Sequence, residues 1–186
     1  MKQLSLLFIA TILIASCSKN NLKSEFNCKN SSQFSELKQY RDILKKFKIK
    51  LPSAWKTSLY YDDYSSEVFS ADTTKGPANS YILQVSWKQG EITLDDNFYS
   101  NLIDTLKIKQ HFKTIKTGII KFKENESLWN LSEGNELGYT IHLLQVYVKT
   151  EIDEYLVLTT KIYGNTNIDE RLCESIDLFN NIEILN

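Results

Sequence analysis

Residues 47–55 read Phe47-Lys48-Ile49-Lys50-Leu51-Pro52-Ser53-Ala54-Trp55. Apolar and basic residues alternate until the proline. A period of two puts Phe47, Ile49 and Leu51 on one face of a strand, and Pro52, which has no amide hydrogen to give, stops it. Ser80 to Trp87 repeats the pattern. Tyr81, Leu83, Val85 and Trp87 fall on one face, with Ile82 and Gln84 on the other. Both strands therefore carry one face for a core, and a sheet needs another layer to cover it.

Working outward from 47–55, the spacing upstream predicts a helix over 33–46, capped by Ser32. Phe34, Leu37, Tyr40, Ile43, Leu44 and Phe47 recur at helical intervals, opposite Lys38, Arg41, Lys45 and Lys46. Downstream, 59–62 and 68–71 read as short strands around a polar turn. Thr93 opens a helix with Asp95 and Asp96 in its first turn, where the helix dipole favours acids. Its stripe is Leu94, Phe98, Leu102 and Leu106, read as a buried face. Strands follow at 112–122, 127–132, 137–149 and 154–163, with hairpin connections expected at Glu133-Gly134-Asn135 and Glu151-Ile152-Asp153. A last helix covers 168–180, with Ile168, Leu172, Ile176 and Phe179 inward. The whole is an α+β domain, a mostly antiparallel sheet flanked by helices.

The order of these elements, together with the strand-Pro-x-x-Trp opening at Phe47 to Trp55 and the end at Asn181-Ile182-Glu183-Ile184, resembles the PsbP/Mog1-like fold over about residues 47–186. The resemblance implies a sheet between helices and an accessory, non-catalytic role of binding or assembly. It implies no catalytic motif.

The first seventeen residues carry a different signal. Lys2 is the only charge before Lys19, Leu4 to Ile14 is nearly all apolar, and Ile14-Ala15-Ser16-Cys17 follows. A positive start, a short apolar core and small residues before a cysteine resemble a bacterial lipoprotein signal. The apolar run is shorter than the roughly 20 residues a membrane-spanning helix needs. Residues 1–16 are then a signal peptide, Cys17 takes the lipid (diacylglycerol and palmitate-type chains), 17–31 form a polar tether and 32–186 a single domain. The expected partners are the membrane, through lipid on Cys17, and an envelope protein. No acidic run follows Cys17, which favours the periplasmic face of the outer membrane over the cell surface.

Composition narrows the classes. The chain has 186 residues, with 22 basic against 23 acidic side chains. Without residues 1–16 it loses only Lys2, leaving 21 against 23 and a net charge of −2. No basic patch stands out, which argues against nucleic acid as a partner. With Cys17 lipidated, Cys28 and Cys173 remain; in an oxidising compartment they read as a disulfide, the alternative being two free buried thiols.

Chemistry is sparse. His111 and His142 lie apart, neither with a second His or Cys at ligand spacing, so no metal or cofactor is expected. Asp95-Asp96 is a helix start rather than an acid pair. The one local oddity is Tyr60-Tyr61-Asp62-Asp63-Tyr64. Two carboxylates among three aromatic rings could bind a cation or ligand, or anchor a protein contact. The plainer reading is a strand end and an acidic turn with alternate tyrosines buried. The expectation is a non-catalytic envelope lipoprotein, not an enzyme, that binds or supports a partner; the alternative is a small-molecule or metal-binding lipoprotein.

Overall fold

The computed structural model describes residues 21–29, 32 and 34–185. The signal segment 1–16, Cys17 and residues 18–20 lie outside them. In chain order the elements are α1 (Leu22–Glu25), β1 (Leu37–Arg41), β2 (Phe47–Pro52), β3 (Lys56–Tyr61), β4 (Ser65–Ala71), β5 (Tyr81–Gln89), α2 (Asp96–Gln110), β6 (Lys113–Phe122), β7 (Asn125–Glu136), β8 (Tyr139–Lys149), β9 (Glu154–Tyr163), α3 (Ile168–Phe179) and β10 (Glu183–Ile184). A single 3-10 turn, Pro77–Asn79, precedes β5. The α+β class is as expected, and no helix among the described residues is long and apolar enough to cross a membrane.

Seven strands form one antiparallel sheet in the order β3-β4-β5-β9-β8-β7-β6. Register fixes its two faces. Leu83, Thr160, Leu144 and Leu131 face one another across β5, β9, β8 and β7 on the inner side. Against this side pack α3, through Leu172, Ile176 and Phe179, and a second sheet, β1-β2-β10, through Phe47, Ile49 and Leu51. All three of these β2 residues are fully buried, as the alternation at 47–51 requires. The second sheet is pinned at its end. The Lys46 ammonium pairs with Glu154 and lies 4.7 Å from the Trp87 ring centroid, and the Trp87 indole donates to the other Glu154 oxygen at 2.9 Å. On the far side, Arg171 of α3 is buried and donates to the carbonyls of Ser80 and Tyr163, at 2.9 and 2.8 Å, and to that of Thr166. This ties the start of β5, the end of β9 and the start of α3 together through carbonyls.

The helix read over 33–46 is not there. Leu37–Arg41 pairs antiparallel with β2, opposite Pro52 to Lys48. The turn between them is set locally. The Asp42 carboxylate accepts the Phe47 amide at 2.7 Å, and Lys45 takes the left-handed conformation at φ 64°. Leu44, Tyr40 and Phe34 do pack against the core, but from an extended hairpin. Five or six apolar residues at spacings of three and four fit both structures, and pairing with β2 decided between them.

Other boundaries move for physical reasons. Asp95, not Thr93, caps α2 by accepting the Phe98 amide at 2.8 Å, while Ile92 and Leu94 are buried from the extended segment before it. Along α2, Leu106 is buried but Phe98 and Leu102 are only half-buried, so the stripe is shallower than expected. The β7–β8 turn falls at Leu137-Gly138, both at positive φ, rather than at 133–135. Gly134 stays within β7 because the Phe112 ring lies over it, at 2.9 Å from where a Cβ would stand. Residues 21–28, read as tether, fold onto the domain. Leu22 is buried in the main core and Phe26 packs beside it, and Lys23 pairs with Asp177 of α3.

Candidate functional site

Tyr60 to Tyr64 forms the tip of the β3–β4 hairpin, at the edge of the large sheet. The turn is built from its own polar groups. The Asp62 amide donates to the Ser65 carbonyl at 2.9 Å, and the Asp62 carboxylate accepts the Tyr64 amide at 2.8 Å. The Tyr64 amide, then the Ser65 side chain, hold the Asp62 carboxyl below its ordinary range. The Tyr64 carbonyl accepts the Gln89 amide of β5 at 2.8 Å, so the tip is fastened to the next strand as well.

A strand end and an acidic turn were expected, and both are found. Alternate burial of the tyrosines is not. Tyr60, Tyr61 and Tyr64 are 57%, 63% and 69% exposed, with Leu59 beside them also exposed. Alternation still operates: Tyr61 and Leu59 share the side of Val68, and Tyr60 takes the other side. At the sheet edge neither side is covered at the tip. The result is a fixed turn that carries three solvent-facing rings, with Asp63 among them.

The remaining candidates are placed as follows. Cys28 and Cys173 form a disulfide, with Cα atoms 5.4 Å apart, joining the segment after α1 to α3. A cleft of about 870 Å³ opens beside it, lined by Phe26, Lys116, Leu131 and Glu170 among others. The lining mixes four acids, two lysines and apolar residues. His142 is buried on the inner face with its Nε2 3.1 Å from Glu133, its cross-strand neighbour. His111 ends α2 in the left-handed conformation at φ 57°. The structure does not bring the two histidines to one place. Among the described residues, no group of three His, Cys, Asp or Glu side chains could hold a metal ion.

One set of residues escaped the sequence reading. On the outer face, Asn130 and Ser132 are fully buried within β7. Neither side-chain atom of Asn130 has a partner, nor does the Ser132 hydroxyl, the Gln145 carbonyl oxygen or the Thr114 hydroxyl. The available signal was amides inside otherwise apolar runs, Trp129-Asn130-Leu131 and Leu144-Gln145-Val146. Nearby Tyr147 differs from the tip tyrosines in being mostly buried. Burial, with Tyr155 beside it, pushes its phenol up to about 12. An ordinary tyrosine ionises near 10, so the unfolded chain releases this proton first. The contribution to stability is intact below about pH 10 and is lost as pH rises toward about 12. Tyr147→Phe is therefore expected to flatten the alkaline fall in unfolding free energy over that window, read by urea titrations at stepped pH. Tyr81, raised by burial and then by Glu174, leaves a residual slope.

With this geometry in hand, the chain is similar to two solved structures. The solution structure of cyanobacterial PsbP (CyanoP) from Synechocystis sp. PCC 6803 aligns with a TM-score of 0.57 at 11% identity, covering 84% of this chain and 96% of that one. A point mutant of the protein Mog1 aligns with a TM-score of 0.52 at 7% identity, covering 81% and 97%. At such identities the likeness is one of fold, and the fold is PsbP/Mog1-like, as the sequence pattern implied. No protein-family model matches the sequence, and no curated protein matches it either.

Proposed function

We propose that this chain is a non-catalytic lipoprotein, held to a bacterial membrane through lipid on Cys17, that binds or supports a protein partner at the cell envelope. The observation that carries the partner reading is the hairpin tip. Three exposed tyrosines on a turn whose backbone is already fastened by Asp62 and Gln89 offer large apolar area, so binding need not order the turn itself. Protein interfaces are enriched in this residue type. The reading of the anchor rests on Ile14-Ala15-Ser16-Cys17 after the short apolar run. The periplasmic face of the outer membrane is the proposed location, from the lack of an acidic run after Cys17.

The test of the partner is crosslinking in the native envelope from a photoreactive side chain at position 64. A discrete adduct is expected, and it should disappear when Tyr60 and Tyr61 are both changed to Ser. Those substitutions touch only exposed side chains, so the melting transition should stay within about 0.5 kcal/mol of the parent. An adduct pattern that survives them would refute the tip as the contact. For the anchor, the parent should incorporate labelled fatty acid and sediment with membranes, and Cys17→Ser should do neither. Equal membrane partitioning of both proteins, with no label in the parent, would remove the lipid reading.

A further inference from the structure

The outer face of the large sheet carries a polar row that register lays out strand by strand. Thr117 of β6 stands opposite Asn130 of β7, Asn130 opposite Gln145 of β8, Gln145 opposite Thr159 of β9, and Thr159 opposite Gln84 of β5. The two ends differ. At the open end Gln84 is satisfied, donating to Glu67 and Ser86 at 3.0 and 3.1 Å. At the end beneath α2 the five atoms of Asn130, Ser132, Gln145 and Thr114 are buried and unpartnered.

These atoms form one patch. Asn130 faces Gln145, and Ser132 faces Thr114, as direct cross-strand neighbours. Direct neighbours stand about 4.5–5.5 Å apart, and residues two apart on one strand about 7 Å, so the patch is about 10 Å across. The patch also divides what α2 packs on. One apolar cluster has Leu106, Phe112, Ile141 and Leu143; the other has Leu94, Leu128, Phe98 and Tyr147. Leu102 touches both clusters. Along β8 the order is Leu143, Gln145, Tyr147, which sets the amide between the two. A buried polar group without a partner costs about 1–3 kcal/mol, and folded proteins leave few of them. Five in one patch under one helix weaken the docking of that helix, and a ligand that supplied the missing bonds would gain from all of them.

We infer that this face is a binding site for a small, uncharged, sugar-like ligand bearing hydroxyl and amide groups, with α2 as its cover. The donor set is two amides and two hydroxyls, which pair with hydroxyls and amides in either direction. It holds no counter-charge, and a charged ligand would be stripped of water without compensation. The Phe98 and Tyr147 rings, 5.1 Å apart, form an apolar wall beside the amides, the usual make-up of a small-molecule site. The site lies apart from the tyrosine tip and goes beyond the partner reading; each stands or falls without the other.

Hydrogen exchange of the full chain decides it, with N-acetylglucosamine and mannitol as neutral probes and glucuronate as the anionic one. At least one neutral probe is expected to slow exchange in residues 96–110 at least several-fold, and glucuronate is not. Asn130→Leu, which keeps volume while removing the unpaired amide, should fold with an equal or higher Tm and lose the protection. Gln145→Leu should do the same. Variants with Ser at 60 and 61 should keep it. The inference is overturned if neither neutral probe alters α2 exchange, if glucuronate protects equally, or if protection survives both leucine variants. A clear fall in Tm for both leucine variants would also overturn it, since the amides would then be bonded in the free protein.

Discussion

Reduction of the Cys28–Cys173 disulfide is expected to lower the unfolding free energy by about 2–5 kcal/mol. The bond closes a loop of 145 residue steps, nearly the whole domain. The chain-entropy model gives about 5 kcal/mol for a loop of that length, and measured returns are often smaller. The loss is local as well as global. The bond holds the segment bearing Leu22, buried in the core, and Phe26, whose ring is 5.0 Å from that of Trp129. Lys23, which pairs with Asp177, sits on the same segment. Burial raises the Asp177 carboxyl, but Lys23 and the Ser32 amide outweigh it and keep it below its ordinary range, so this attachment is strongest while Asp177 is ionised. Urea titrations with and without reductant should show a lower midpoint for the reduced form, and intact mass should rise by two hydrogens on reduction. An unchanged midpoint would show that the bond constrains nothing the fold does not already hold.

Trp129→Ala is expected to cost about 3–5 kcal/mol, the usual range for removing a buried aromatic. Trp129 has no exposed surface and lies on the inner face of β7. Its indole lies over Gly118 of β6, where an added Cβ would come within 2.9 Å of Nε1, and the Lys116 ammonium stands 5.4 Å from its ring. The site is closed from both sides, so truncation leaves a cavity and Gly118→Ala overpacks, the latter by about 1–3 kcal/mol. Because Phe26 touches the indole from the disulfide-held segment, the Trp129 and disulfide effects should not add. A double-mutant cycle should give a coupling above about 0.5 kcal/mol. Simple additivity would show that Phe26 keeps its place on the indole when the bond opens, or never supported it.

Residues whose neighbours in sequence share their fate were readable. Tyr81 to Trp87 alternates because β5 lies between β4 and β9 with one face covered, and α3 keeps its Leu172, Ile176 and Phe179 stripe because one helix face meets the sheet. The Cys28–Cys173 pairing was readable from thiol arithmetic. What failed depended on partners far along the chain. Residues 37–41 are extended because β2 is there to pair with them. The tip tyrosines are exposed because β3 is the last strand of its sheet, which periodicity within 56–64 does not report. Asn130 and Gln145 look like ordinary strand residues until α2 is seen to lie over them.

The short β10 has a consequence for the order of events. Glu183 and Ile184 pair with Lys48 and Phe47, so the second sheet joins the two ends of the domain. The inner layer over the sheet is complete only when residue 184 has arrived. Contacts this remote in sequence slow the search for the native state, since loop closure must precede any reward. Phe47, on the strand that β10 pairs with, therefore gains its full set of neighbours only when the last residues of the domain are in place.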